Sequence, residues 1–245
     1  MDPIHYGPYT ARKICQGVWN IEQGFVRSYL VLGRERAALV DTCDADADLP
    51  GLVAQITALP VVVVQTHCDH DHIGSSRRFG QVLMHPSEFA LLRETSAAPL
   101  SPRPIREGET INLGGRQLMV LLIPGHTPGS IALLDPQARL LFSGDSVKDD
   151  IVYMFGPGRD LAAYIDSMER LYAMREQYDV ILPCHGTTPV SAGLIPGLIE
   201  GAKRLAAGQL AGREDGSGLP CRLYTCGTAS FYYAPPHREH IAEDA

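Results

Sequence analysis

Apolar residues along this chain fall in short runs, and most runs end at a turn marked by Gly, Pro or a polar cluster. Residues 17–21, 26–32 and 37–41 are β-like runs near the N-terminus, and the spacing predicts a helix around 46–59. Residues 61–64 are four consecutive valines with no polar alternation, the pattern of a short strand buried on both faces. A helix is predicted over 71–80, ending at a glycine suited to close it. A strand at 81–84 and a helix at 86–94 follow. A similar second half starts near Ile111, with strands at 117–123, 130–134 and 139–142. The helix predicted over 161–177 carries Leu161, Ile165, Met168, Leu171 and Tyr172 at helical spacing, a core-facing stripe. A strand at 180–182 and a helix at 195–207 complete the pattern. Residues 208–220 are rich in Gly and charge and read as an exposed loop, whereas 221–233 are apolar enough to return to the core or cover a site. Repeated β then α predicts an α/β fold with two sheets face to face and helices outside.

Four predicted strands end in residues able to bind metal. After the valine run comes Thr66-His67-Cys68-Asp69-His70-Asp71-His72-Ile73-Gly74, which packs three His and two Asp into six residues. Later strands lead into Pro124-Gly125-His126-Thr127-Pro128-Gly129-Ser130, Ser143-Gly144-Asp145-Ser146 and Cys184-His185-Gly186. Imidazoles and carboxylates bind Zn, Fe or Mn, and rigid strand ends aim them into one pocket. A solvated charge run would not recur at four strand ends.

At these positions the chain resembles the metallo-β-lactamase-fold superfamily. The usual signature there is His-x-His-x-Asp-His, a His in a Gly-His-Thr-x-Gly turn, a Gly-Asp and a late His-Gly. The resemblance runs from about residue 20 to 185, with the motifs in order. It implies a four-layer αβ/βα sandwich and two divalent metal ions. One ion would be held by His67, residue 69 and His126, the other by Asp71, His72 and His185, with Asp145 bridging. Aligning on Asp71-His72-x-Gly74 puts Asp69 where the second His of the signature stands. A shift of register would make His70 the ligand but would break that anchor, so Asp69 is preferred. A carboxylate is harder than imidazole and moves preference from Zn toward Fe(II) or Mn(II). Flavodiiron proteins of the same superfamily carry a Glu at this place.

Composition then narrows the function classes. A chain of 245 residues can bury one large core, and residues 1–245 read as one domain. An apolar fraction of 45% and a charged fraction of 20% are ordinary for globular proteins. The net charge of −7 argues against nucleic acid as a partner, since phosphates want a basic face. No apolar run approaches the roughly 18 residues of a membrane span, and residues 1–16 have no apolar signal core. A cytoplasmic protein acting on a small molecule is expected, and β-lactamase action, which is extracytoplasmic, is disfavoured. Without a secretion signal the six cysteines are expected as free thiols. Cys68 and Cys184 stand beside proposed ligands. They either support the site or, by strand alternation, point away from it.

Two cations about 3.5–4 Å apart lower the pKa of a bridging water, so hydroxide exists near neutral pH. Such a site hydrolyses a carbonyl or phosphoryl centre, one ion stabilising the charge that develops. Asp71 is the candidate catalytic residue, orienting the nucleophile and returning a proton to the leaving group. Asp41 resembles the family's strand-terminal Asp, expected to support a ligand histidine. His85 either lines the pocket or is structural. Tyr153, Phe155, Arg159, Tyr232 and Tyr233 either contact substrate or pack. His5, His237 and His240 are expected at the surface. The expected function is a metallo-hydrolase of a thioester, lactone or ester. The alternative is an iron-dependent oxidoreductase of the same fold, either a sulfur dioxygenase or a diiron protein.

Overall fold

The computed structural model describes residues 2–94 and 100–234; His237 and His240 lie outside the described residues. The larger sheet has eight strands in chain order: β1 (Ile4–Tyr6), β2 (Tyr9–Cys15), β3 (Val18–Gln23), β4 (Val26–Leu32), β5 (Ala37–Val40), β6 (Val61–Val64), β7 (Val82–Met84) and β8 (Arg103–Pro104). β1 to β5 pair antiparallel, and β5 to β8 pair parallel. The second sheet runs β14 (Val180–Pro183), β12 (Leu140–Gly144), β11 (Ile131–Asp135), β10 (Gln117–Leu122), β9 (Thr110–Asn112). A third, small sheet joins β13 (Val152–Met154) in parallel to β16 (Ala229–Tyr233), which pairs with β15 (Arg222–Cys226).

Period-two alternation sets the layers. In the second sheet Leu118, Val120, Ile131, Leu133, Leu140, Phe142 and Leu182 face the larger sheet and share its core. Their neighbours Leu121, Ala132, Leu134, Leu141 and Ile181 face the other way, against α4 (Leu161–Ala173) and α5 (Ile195–Ala206). Helix α1 (Leu49–Ile56) packs Leu49, Leu52 and Val53 on the larger sheet. The layers are therefore helix, sheet, sheet, helix, the four-layer αβ/βα sandwich expected from the sequence.

Three differences from the sequence expectation have local causes. The helix expected over 71–80 breaks into α2 (His70–Ile73) and a 3-10 turn, Ser76–Arg78. The carbonyl of His72 is taken by Thr42 N at 2.7 Å and Thr42 Oγ1 at 3.0 Å, and Gly74 N donates to Cys43 O at 2.8 Å. Those backbone groups are thus lost to helical continuation, which leaves His72 pinned to the end of β5. The helix expected over 86–94 likewise opens as a 3-10 turn, Pro86–Glu88, before α3 (Phe89–Glu94). Residues 4–15 form an edge hairpin that hydropathy hides, because only Tyr9 and Ala11 of β2 are buried.

Among the described residues no helix is long and apolar enough to cross a membrane.

Candidate metal centre

Four histidines meet where the two sheets open at their strand ends. His67 follows β6, His72 sits on α2, His126 follows β10, and His185 follows β14. The ring centroids of His67 and His72 are 4.1 Å apart, those of His67 and His126 4.8 Å, and those of His72 and His185 5.3 Å.

Each ring is held at Nδ1. His72 Nδ1 lies 2.8 Å from Asp41 Oδ2 and His67 Nδ1 2.9 Å from Thr66 Oγ1. His126 Nδ1 is 2.9 Å from the Tyr153 carbonyl and His185 Nδ1 3.0 Å from the Phe25 carbonyl. Thr66 Oγ1 donates to Asp41 Oδ2, so it is left to accept from His67. All four therefore carry their proton on Nδ1 and present Nε2 to one another, the arrangement that outer contacts impose on metal-binding imidazoles.

Three carboxylates close on these Nε2 atoms. Asp145 Oδ1 is 3.3 Å from Nε2 of both His72 and His185, and its Oδ2 is 3.9 Å from His126 Nε2. Asp71 Oδ2 is 3.2 Å from His185 Nε2 and 3.7 Å from His72 Nε2. Asp69 Oδ2 is 3.3 Å from His126 Nε2 and 3.6 Å from His67 Nε2. Among the described residues three sets converge within metal-binding reach: His67, His126 and Asp145; Asp71, His72 and His185; and, on the far side of His72, Asp41, His72 and Cys184. His70 turns away, with its side chain 82% exposed. His70→Ala should keep metal content and activity at wild-type level in an elemental and kinetic comparison.

The strand-end glycines allow this convergence. Gly144, at φ +54°, brings the backbone against Thr66, and a Cβ there would meet Thr66 Oγ1 at 2.8 Å. Gly125 at φ +136° runs against the backbone of Tyr164, where a Cβ would sit 2.4 Å from Cα. Asp41 itself adopts φ 60°, a conformation unfavourable for a side chain, and its carboxylate also accepts from Thr66 N at 2.7 Å.

Glu88 was not singled out by sequence reading. It is fully buried; Oε2 accepts from Cys68 N at 2.9 Å and Oε1 from Gly129 N at 2.7 Å. One carboxylate thus ties the His67 turn to the His126 turn. Lys148 was also missed. Its side chain is 2% exposed, with Nζ 2.8 Å from Asp145 Oδ2 and 5.6 Å from the Tyr153 ring.

Charge is concentrated here. Burial opposes ionisation of Asp145, but Lys148, His185 and His72 outweigh it and hold the carboxyl well below the usual range. Burial likewise opposes ionisation of Asp69 and Asp71, and neighbouring histidines lower both. Burial disfavours a charged His72, yet Asp71, Asp145 and Asp41 raise it well above an ordinary histidine. For His126 burial wins and the shift is downward.

Within this cluster Nε2 of His67, Nε2 of His126 and Oδ1 of Asp145 are buried without a hydrogen-bond partner among the described residues. Orphaned donor atoms facing one another are costly unless a cation joins them. The residue set fits divalent metal.

The remaining candidates separate clearly. The site opens into a cavity of about 270 Å³ lined by Phe25, His70, Lys148, Asp150 and Tyr153 besides the cluster, with His70 at its rim and mostly exposed. Phe155 and Tyr232 pack on Tyr153, with centroids 5.7 and 5.0 Å from it, while Tyr233 packs on Tyr224. Arg159 Nη2 donates to Asp69 Oδ2. His85 caps the Pro86–Glu88 turn, and His5 is exposed. Cys184 Sγ lies 3.3 Å from Asp41 Oδ2, behind His72, and Cys68 Sγ faces the Glu88 carbonyl at 3.8 Å. Neither sulfur lines the cavity. All six cysteines are free.

Comparison with known proteins agrees with this geometry. The family model for the metallo-beta-lactamase superfamily matches residues 21–185. The acyl-coenzyme A thioesterase MBLAC2 of Homo sapiens is 30% identical over 228 residues, 74% of this chain and 82% of that protein. A hydroxyacylglutathione hydrolase of Synechococcus sp. (strain JA-3-3Ab) is 33% identical over 115 residues, 45% of this chain and 44% of that protein. A solved metallo-beta-lactamase from Pontibacter korlensis shares the fold, with TM-score 0.68 at 24% identity over 80% of this chain and 99% of that one. With its strand-end ligand motifs in order and drawn into one centre, the chain belongs to the metallo-beta-lactamase superfamily.

Proposed function

We propose that the protein is a metal-dependent hydrolase of small acyl thioesters, working with two divalent ions, Zn(II) or Fe(II)/Mn(II). One ion would be held by His67, Asp69 and His126 and the other by Asp71, His72 and His185, with Asp145 available to both. The observation that carries the reading is the convergence of four buried imidazole Nε2 atoms on three carboxylates, two of those nitrogens being otherwise unpartnered. The names of the relatives support the substrate class, since an acyl-coenzyme A thioesterase and a hydroxyacylglutathione hydrolase both act on a thioester bond.

When bound, such ions would supply hydroxide at neutral pH and positive charge for the developing oxyanion. The chain's own residues do the rest. Asp71, on the cavity wall, would orient the hydroxide and, as the C–S bond breaks, pass the hydroxide's proton to the leaving thiolate sulfur, so that a carboxylate and a free thiol result. Lys148 presents a buried ammonium to the cavity beside the place where the carbonyl must lie. Phe25, 65% exposed and stacked on His185 at 5.8 Å, and Tyr153 form an apolar wall for the acyl group.

Metal-loaded protein should cleave acyl-coenzyme A or acyl-glutathione thioesters anaerobically, followed by thiol release with a chromogenic disulfide. Elemental analysis of the same sample should give close to two equivalents. Oxygen uptake with a persulfide and no thioester cleavage would instead favour the iron oxidoreductase, the reading that a carboxylate at position 69 also suits.

A further inference from the structure

Asp69 is the residue at which this chain departs from the family's histidine signature, and it does not stand alone. Its Oδ2, the oxygen 3.3 Å from His126 Nε2 and 3.6 Å from His67 Nε2, is also the oxygen to which Arg159 Nη2 donates. The Arg159 side chain is only 14% exposed, and its Nη1 donates to the Pro157 carbonyl at 3.3 Å. Arg159 is absent from the cavity lining, so it meets the carboxylate from outside the substrate space. The segment that carries it is tied to the His126 turn, because Asp160 N donates to the Gly125 carbonyl at 2.8 Å. A Cβ on the adjacent Gly158 would lie 2.9 Å from Pro128 Cδ. The turn that delivers His126 therefore also delivers the guanidinium to Asp69.

We propose that Asp69 and Arg159 act as one electrically neutral ligand unit that replaces the histidine expected at position 69. The inference rests on Asp69 being a ligand. A carboxylate and a guanidinium sum to zero charge, as does a neutral imidazole. Asp69 can then supply an anionic oxygen without making the centre more negative than the histidine set would be. The pairing cancels the charge part of any preference for Fe(II) or Mn(II) and leaves only the harder oxygen donor. Arg159 is a positioning residue: its planar fork fixes the carboxylate rotamer. Arg159, His126 and His67 all approach the same oxygen, Asp69 Oδ2.

A double-mutant cycle read on metal binding tests this. Full-length protein is stripped with a chelator, then titrated with Zn(II) against a chromophoric chelator, with stoichiometry from elemental analysis and folding checked by circular dichroism. Asp69→His leaves the guanidinium beside a neutral ring and a dication with no counter-charge. It should weaken Zn(II) binding about 100-fold, and in an Arg159→Met background the same change should cost less than about tenfold. Equal losses in the two backgrounds would overturn the neutral unit while leaving Asp69 a ligand. Asp69→Ala that binds two ions as tightly as wild type would overturn the ligand reading as well. If Arg159→Met does not fold, Arg159→Gln takes its place in the cycle with the same two outcomes.

Discussion

Asp145→Ala should leave the protein with less than one equivalent of metal and lower thioester turnover at least about 1,000-fold. The size of the effect follows from where the carboxylate sits. Asp145 Oδ1 is 3.3 Å from Nε2 of His72 and of His185, and Oδ2 reaches His126 Nε2 at 3.9 Å. Asp69 and Asp71 each reach the histidines of one set alone, so among these three carboxylates the loss of Asp145 disables both at once. Loss of Asp69 or Asp71 would each leave one set largely intact. A second consequence is structural: removing Asp145 leaves the buried Lys148 ammonium without its 2.8 Å partner. Uncompensated buried charges cost about 3–5 kcal/mol, so the variant should also melt well below wild type. Asp145→Asn keeps the shape and a hydrogen-bond acceptor, and should recover stability more than metal. Elemental analysis, thermal unfolding and steady-state kinetics on the two variants separate these effects. Full metal content in Asp145→Ala would remove it from the shared position.

The candidate cluster was legible because its members share one signature: a polar side chain of a metal-binding type directly after an apolar strand. His67 after the valine run, His126 in its Gly-Pro turn, and Asp145 after Gly144 all carry that mark, and the structure brings them together. The same signal set the strand positions, since β4 and β6 match the apolar runs and the second sheet alternates with period two. What the sequence hid is made by distant parts of the chain. Arg159 meets Asp69 across 90 residues and His185 meets the Phe25 carbonyl across 160, and nothing local in either segment announces the pairing. Glu88 looked like an ordinary helix residue until the fold placed it between two backbone N–H groups. Helix length failed at 71–80 for a related reason. The periodicity was helical, but Thr42, donating to the His72 carbonyl, and the Cys43 carbonyl, accepting from Gly74 N, claimed the backbone first. The third sheet escaped notice because β13 is three residues long and gains its strand character only by pairing with β16. That pairing matters to the site, since β13 carries both the Tyr153 ring that walls the cavity and the carbonyl that holds His126.

Lys148→Met should lower kcat for thioester hydrolysis by about 100- to 1,000-fold, the range expected when one preorganised oxyanion donor is removed. Lys148 is nearly completely buried yet lines the cavity, a position costly for an ammonium unless it is paired. Asp145 Oδ2, 2.8 Å from Nζ, supplies the pairing. If bound cations were to neutralise Asp145, the ammonium would be free to address negative charge in the cavity, where the carbonyl oxygen of a thioester would become anionic during attack. Its benefit should appear mainly in the transition state, so kcat falls while KM moves little. Metal content should stay at two equivalents, because removing a cation beside the centre does not weaken cation binding. Lys148→Arg keeps the charge but changes its reach, and should restore part of the rate. The comparison that decides is kcat against metal content in the same preparations. If the Lys148→Met rate loss tracks metal loss, the lysine only holds Asp145 in place. If kcat is unchanged with both ions bound, some other group meets the carbonyl oxygen.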